Sequence, residues 1–231
     1  MSVGCKTRRG KLSNSVLILG GSGTGKSTSL RNLDSKTTFI VNVINKPLPF
    51  KGAKSKYQQL SSDGMTGNYY CTDLTESLMR VINLVNNKRT DVKTLVIDDF
   101  GYTVTNNFMR KCHQKGYDKF IEIAKNMFDV LDLISNLRDD LFCFTMMHNE
   151  IDLNGISKPR TVGKMTDQYV CIEGKYSTVL HTVVTESQYG FITNFDGIHT
   201  AKSPMEMFDE FIIDNDLQLV REKMVQYFEE E

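Results

Sequence analysis

Ser15-Val-Leu-Ile-Leu19, followed at once by Gly20-Gly-Ser-Gly-Thr-Gly-Lys-Ser27 and then by a polar-apolar stretch through Leu30 and Leu33, is the segment from which the fold class is read. A short apolar run, a glycine-rich loop and an amphipathic stretch spell strand, loop and helix, with the helix beginning near Gly25. The pattern GxxxxGK[ST] is complete in Gly20, Gly25, Lys26 and Ser27. Gly20, Gly21, Gly23 and Gly25, with Ser22, Thr24 and Thr28 between and after them, let consecutive backbone N–H groups turn inward around a phosphate. The helix aims its positive end at the same anion. Lys26, on an exposed loop, reaches the outer phosphates, and the Ser27 hydroxyl completes a Mg²⁺ shell. The segment is a cradle for a nucleoside triphosphate.

Such a cradle needs a second element, an apolar strand that lies beside the first and ends in an acid. Thr94-Leu-Val-Ile-Asp98-Asp99 supplies it. Asp98 is the expected carboxylate of the metal shell. Asp99, one step further, is placed to orient or deprotonate an attacking water. The stretch Asp98-Asp-Phe-Gly101 also spells motifs found in GTPases and protein kinases, and both readings fail. A guanine site wants NKxD, and Asn45-Lys46-Pro47-Leu48 lacks the aspartate. A kinase uses a different glycine loop and an HRD-type catalytic loop, and the chain has neither.

Outward from these motifs the chain alternates strand and helix. Residues 38–44 read as a second strand, ending Asn42-Val-Ile-Asn45. Residues 46–57 form a basic loop whose two prolines forbid a continued strand or helix. Lys51, Lys54 and Lys56 can track phosphates there, while Phe50 and Tyr57 offer stacking faces for a single strand of DNA. Leu74, Leu78, Val81, Ile82 and Val85 mark one helix face, with Asp73 and Glu76 shaped like a capping box. Phe120, Ala124, Met127, Phe128, Leu131 and Ile134 mark a longer helix, and residues 141–147 a fully apolar strand. The β-α-β alternation implies an α/β fold with a mostly parallel sheet covered by helices. Ligands bind outside the carboxyl ends of strands in such sheets, so His148, Asn149 and Glu150 should emerge near the γ-phosphate. His148 or Asn149 is a candidate sensor of that phosphate.

From about residue 168 the texture changes. Residues 169–173, 176–184 and 189–194 are short β-rich runs broken by Gly174 and Gly190, read as hairpins extending the sheet antiparallel. Residues 205–211 and 216–228 read as acidic helices. The expected organisation is one P-loop domain over residues 1–231, with a nucleotide-binding core at 14–150 and a hairpin and helical elaboration at 168–231.

The 231 residues are 40% hydrophobic and 24% charged, which is the balance of a globular chain rather than a disordered one. No apolar run approaches the roughly 18 residues of a membrane span, and no apolar stretch follows the basic N-terminus, so a cytoplasmic, membrane-free protein is expected. Five widely spaced cysteines have no zinc-site spacing. The zero net charge conceals an asymmetry: residues 1–62 hold eleven Lys/Arg against Asp34 alone, whereas residues 205–231 hold nine acids against Arg221 and Lys223. Opposed ends suggest a polyanion-binding face or head-to-tail association of copies.

The chain resembles the RecA-like P-loop ATPases, and in particular small phage ATP-binding proteins with an AAA-type domain of the single-strand annealing and recombination type. The resemblance runs through GGSGTGKST at 20–28, KPLPFKGAKSKY at 46–57, LVIDDF at 95–100, GYDKF at 116–120 and AKSPMEMF at 201–208. It implies ATP and Mg²⁺ as ligands, ATP hydrolysis, a homo-oligomer, and action on single-stranded DNA in recombination, annealing or replication. RecA-type sites usually carry a glutamate base at the end of the strand next to the P-loop, and the 38–44 strand has none, which leaves Asp99 or Glu150 for the role. Such sites often lie at a subunit boundary, where a neighbour's cation completes them. Lys202, on the turn Thr200-Ala-Lys-Ser-Pro204, is the candidate, with Lys164 its rival. Two other functions fit a P-loop. A small-molecule kinase would need an arginine-rich lid, whereas the arginines beyond the N-terminus are scattered; a nucleotide-switched binding protein would bind without useful turnover.

Overall fold

The structure is a computed structural model that describes residues 14–162, 170–186 and 188–229. The basic residues of 1–13, Lys164 and Tyr169 lie outside the described residues. In chain order the strands are β1 (Ser15–Leu19), β2 (Thr38–Asn42), β3 (Tyr69–Cys71), β4 (Thr94–Asp98), β5 (Phe142–Met147), β6 (Asn149–Ile151), β7 (Ser157–Pro159), β8 (Thr178–Thr185), β9 (Gln188–Ile192) and β10 (Ile212–Asp214). The helices are α1 (Ala53–Lys56), α2 (Thr75–Asn87), α3 (Gly101–Arg110), α4 (Asp118–Ser135) and α5 (Leu217–Glu229).

Eight strands form one sheet in the order β10-β9-β8-β1-β5-β4-β2-β3, and β6 pairs with β7 in a separate hairpin. From β8 to β3 every pairing is parallel; β9 and β10 add antiparallel strands at one edge. The expected architecture is present, a mostly parallel sheet flanked by helices with antiparallel strands late in the chain. It requires strands that are apolar on both faces, and β1, β2, β4 and β5 are buried at every position. Alternate residues then serve opposite layers. Leu17, Leu19, Leu95 and Ile97 face the layer made by α2, α3 and α4. Val16, Ile18, Val96 and Phe144 face Leu30, Leu33 and the Leu217, Val220 and Met224 stripe of α5.

Several expectations are corrected. β4 does not lie beside β1; β5, buried on both faces along its whole length, occupies the slot between them. β8 joins β1 in parallel on one side and opens the expected antiparallel hairpin with β9 on the other, so the late strands are anchored to the P-loop strand itself. Residues 170–173 carry no strand and lead into a 3-10 turn at Glu173–Lys175. Residues 205–211 are not helical: Glu206 stands at φ 66°, a left-handed conformation no helix accepts. The capping box before α2 does not form: Asp73 is drawn to Asn106 and Arg110 of α3, and Thr72 Oγ1 accepts from the Leu74 N–H instead. On α4, Ile123 and Val130 are buried, while Phe128 is 41% exposed beneath the Lys175 ammonium. The proline loop holds one helical turn, α1, because Gly52 at φ 77° redirects the chain after the prolines.

Candidate functional site

β1 delivers the glycine loop at its carboxyl end, against β8. A Cβ on Gly20 would stand 1.7 Å from Thr182 Oγ1 and 2.8 Å from Thr24 Oγ1, so any other residue there must displace the Thr182 side chain. Thr182 hydrogen-bonds Thr24 Oγ1 at 2.6 Å and donates to the Leu19 carbonyl at 3.2 Å, tying the loop to its neighbouring strand. Gly23 and Gly25 stand at φ 79° and 95°, where side chains are strained. Gly25 is therefore not helical. The expected helix starts at Ser27 and is a six-residue 3-10 turn, Ser27–Asn32, that stops where Leu33 becomes extended. Little macrodipole is available, and the loop N–H groups and Lys26 carry most of the anion-binding capacity.

Lys26 is buried rather than exposed, with 6% of its surface accessible. Its ammonium donates to the Gly20 and Gly21 carbonyls, both at 2.7 Å. Burial pulls its pKa below the usual lysine value; Asp99 and Asp98 oppose that and the Lys46 charge reinforces it. A desolvated cation held by two neutral carbonyls has a strong demand for an anion.

Ser27 Oγ donates to Asp98 Oδ1 at 3.0 Å, so the two sequence-predicted metal-shell groups meet although β5 separates their strands. Asp98 is buried, and its pKa is pushed up to about 6, first by burial and then by the Asp99 charge, against the pull of Ser27 and Lys26. Asp99 follows in the left-handed region at φ 59°, with Oδ1 3.4 Å from His148 Nε2. A buried non-glycine residue held in that conformation is strain of the kind that gathers at functional positions. Adjacent carboxylates and a hydroxyl are hard oxygen donors suited to Mg²⁺, which takes one or two carboxylates and completes its shell with phosphate and water. Among the described residues no cluster of three or more His, Cys, Asp or Glu forms a closed metal cage. A cation here would be shared with a phosphate.

These groups open into a pocket of about 580 Å³. It is lined by Ser22, Gly23, Gly25, Lys26, Ser27 and Thr28 of the loop, by Asp98, Asp99 and His148 from the ends of β4 and β5, and by Lys46, Pro47 and Pro49. Tyr189, Asn215 and Arg31 complete it, and none of these three was singled out from the sequence. Arg31 follows the P-loop by one turn, a faint signal. Tyr189 and Asn215 come from β9 and the end of β10, which reach the loop only through sheet order.

The other expected site residues are distributed unevenly. Asn149 donates to Ser157 Oγ at 2.7 Å, and Ser157 in turn bonds His181 Nε2 at 2.8 Å. Glu150 lies on β6 with its carboxylate 3.5 Å from Lys158 and does not line the pocket. Of the two candidate bases, Asp99 is the one at the site. Lys202 is exposed, but its backbone pairs in both directions with Val179, so it extends the sheet instead of occupying a free turn. Lys51, Lys54 and Lys56 are exposed and, among the described residues, in no ion pair. Tyr57 is not a free stacking face: it is 6% exposed and packs edge-on against half-buried Phe50 at 6.4 Å. Both rings instead line a second groove of about 630 Å³ that shares Lys46 and Pro47 with the phosphate pocket.

Fold and loop together define an α/β P-loop protein. No family model matches the chain, and no curated protein does. Among solved structures it is similar to a KaiC-like protein, PH0186, from the hyperthermophilic archaeon Pyrococcus horikoshii OT3, at 13% identity over 86% of this chain and 88% of that one, with a TM-score of 0.47. It is also similar to the genome packaging NTPase B204 of Sulfolobus turreted icosahedral virus 2, solved with ATP-gammaS, at 13% identity over 74% and 75% of the two chains, with a TM-score of 0.40.

Proposed function

We propose that the chain is a Mg²⁺-dependent ATPase that acts on single-stranded DNA, in phage-type recombination, annealing or replication. The observation that carries the nucleotide half is the convergence of Lys26, Ser27 and Asp98 at the head of a pocket large enough for a nucleotide. Loop N–H groups and Lys26 would hold the β- and γ-phosphates, with the Lys26 ammonium exchanging two carbonyls for phosphate oxygens. Ser27 and Asp98 would hold Mg²⁺, which when bound neutralises charge on the transferred phosphoryl group. Asp99, turned into the pocket by its left-handed backbone, would orient the attacking water, and His148 beside it would report the γ-phosphate.

The DNA half is supported by the exposed lysines Lys51, Lys54 and Lys56, of which Lys54 lines an aromatic groove that shares Lys46 and Pro47 with the nucleotide pocket. Assembly into a homo-oligomer, with Lys202 of one copy serving the next, is supported by the opposed charges of the chain's two ends. The kinase reading has less support, since Arg31 is the one arginine that lines the pocket among the described residues and it is engaged by the Asn215 carbonyl at 2.6 Å. ATP hydrolysis measured with and without single-stranded DNA tests the proposal. Stimulation by DNA is the expected result. Turnover that rises only with a small-molecule phosphate acceptor, or nucleotide binding with no turnover, would overturn it.

A further inference from the structure

One wall of the pocket contains a buried amide whose nitrogen has no hydrogen-bond partner. Asn215 is 3% exposed, its Nδ2 is enclosed without a hydrogen-bond partner, and its Oδ1 also has none among the described residues. Leaving such a group unsatisfied is unfavourable, a penalty that a bound ligand would remove. The backbone holds the residue in place from two sides. Its carbonyl accepts from Arg31 Nη1 at 2.6 Å, and its N–H donates to the Tyr189 carbonyl at 3.3 Å.

Gly25 is what lets this group approach the loop. A Cβ there would stand 3.1 Å from Asn215 Oδ1, 3.2 Å from Nδ2 and 3.0 Å from Tyr189 Cδ1. The amide and the half-exposed tyrosine ring therefore converge on the phosphate loop at Gly25, at the end where Arg31 bonds the Asn215 carbonyl, while Asp98 is bonded by Ser27. With the phosphates at Lys26, this end falls to the base. A tyrosine ring supplies a stacking face. A side-chain amide presents a donor and an acceptor side by side, which matches the amino group and neighbouring ring nitrogen of adenine, whereas guanine presents two acceptors on the corresponding edge.

We propose that Asn215 and Tyr189 form the base subsite, with Asn215 selecting adenine over guanine and Tyr189 stacking on the ring. This rests on the nucleotide reading of the pocket and assigns its specificity. The test is equilibrium binding of ATP, GTP and inorganic triphosphate to the full chain with Mg²⁺. The wild type should prefer ATP over GTP by roughly tenfold or more. Asn215→Ala should bring ATP down to the affinity of GTP while triphosphate affinity stays unchanged, which also reports an intact loop. Tyr189→Ala should weaken both nucleotides, and Tyr189→Phe should restore them. A wild type without ATP preference, an Asn215→Ala protein that keeps it, or one that loses triphosphate equally would overturn the base subsite and leave the phosphate site standing. A wild type that binds neither nucleotide nor triphosphate would instead overturn the nucleotide reading itself.

Discussion

Lys26 and Asp98 are both buried, and burial opposes the charge of each. Their different tasks at the site set what their removal does. Lys26→Ala should lower ATP turnover by about a hundredfold or more, as loss of a preorganised charge-stabilising donor does, while the fold persists because no core packing is lost. Asp98→Asn should reduce Mg²⁺-dependent turnover far more than nucleotide affinity, since it removes metal-shell charge and leaves the phosphate cradle intact. Steady-state ATPase assays beside nucleotide titrations check both, and normal turnover in either variant would remove the assignment. Gly20 is constrained by space. Gly20→Ala should destabilise the protein by about 1–3 kcal/mol in urea unfolding, as overpacking does. Adding Thr182→Ala should recover part of that loss, because it deletes the oxygen that the new methyl would strike.

At the scale of elements, β8 joins the P-loop to a buried polar cluster. His181 bonds Ser157 Oγ at 2.8 Å and the Thr182 carbonyl at 3.0 Å, and its ring lies 4.4 Å from that of His199, which is itself held by Asp196. Burial depresses the His181 pKa to about 4 from its ordinary 6.5; the Thr182 carbonyl opposes the shift and the His199 charge adds to it. The unfolded chain therefore binds a proton between these values and the folded chain does not. Stability from this residue is complete above about pH 6.5 and is lost as pH falls toward 4, by up to about 3 kcal/mol. Unfolding free energies across that window should fall more steeply for the wild type than for His181→Asn, and parallel curves would refute the linkage. The proline loop with α1 is the second such element. Replacing Lys51, Lys54 and Lys56 together by alanine should weaken single-stranded DNA binding and flatten its dependence on salt, since up to three fewer counterions are released. Unchanged affinity and slope would exclude the loop.

For the whole molecule, the charge asymmetry and the placement of Lys202 bear on assembly. A basic end and an acidic end favour heterologous, head-to-tail contact, which closes into rings or continues as filaments. ATPase activity per subunit should then rise with protein concentration. Mixing Lys202→Ala subunits with Lys26→Ala subunits should restore turnover, because some interfaces pair an intact P-loop with an intact Lys202. Turnover independent of concentration, with full activity in Lys202→Ala alone, would refute that arrangement.

What the sequence determined by itself were features written in local chemistry. GGSGTGKS demands a tight anion-binding turn, and runs such as Leu95-Val-Ile97 and residues 142–147 are too apolar to face water, so a buried parallel sheet and its phosphate loop were legible from composition and spacing. The Ser27–Asp98 pair was legible for the same reason, since each partner ends or follows its own strand. The tertiary structure decided what depends on which strands become neighbours. β5 came between β1 and β4, an order that two strands equally buried on both faces do not reveal, and β8 ran parallel to β1 once it filled the remaining edge of the P-loop strand. Asp73 left its capping role because Asn106 and Arg110 arrived from a distant helix. Tyr57 turned inward, and Tyr189 and Asn215 reached Gly25 from more than 160 residues away along the chain. A pocket wall built from such long-range pairings has no local signal, because the contact that creates it exists only after the sheet has closed around it.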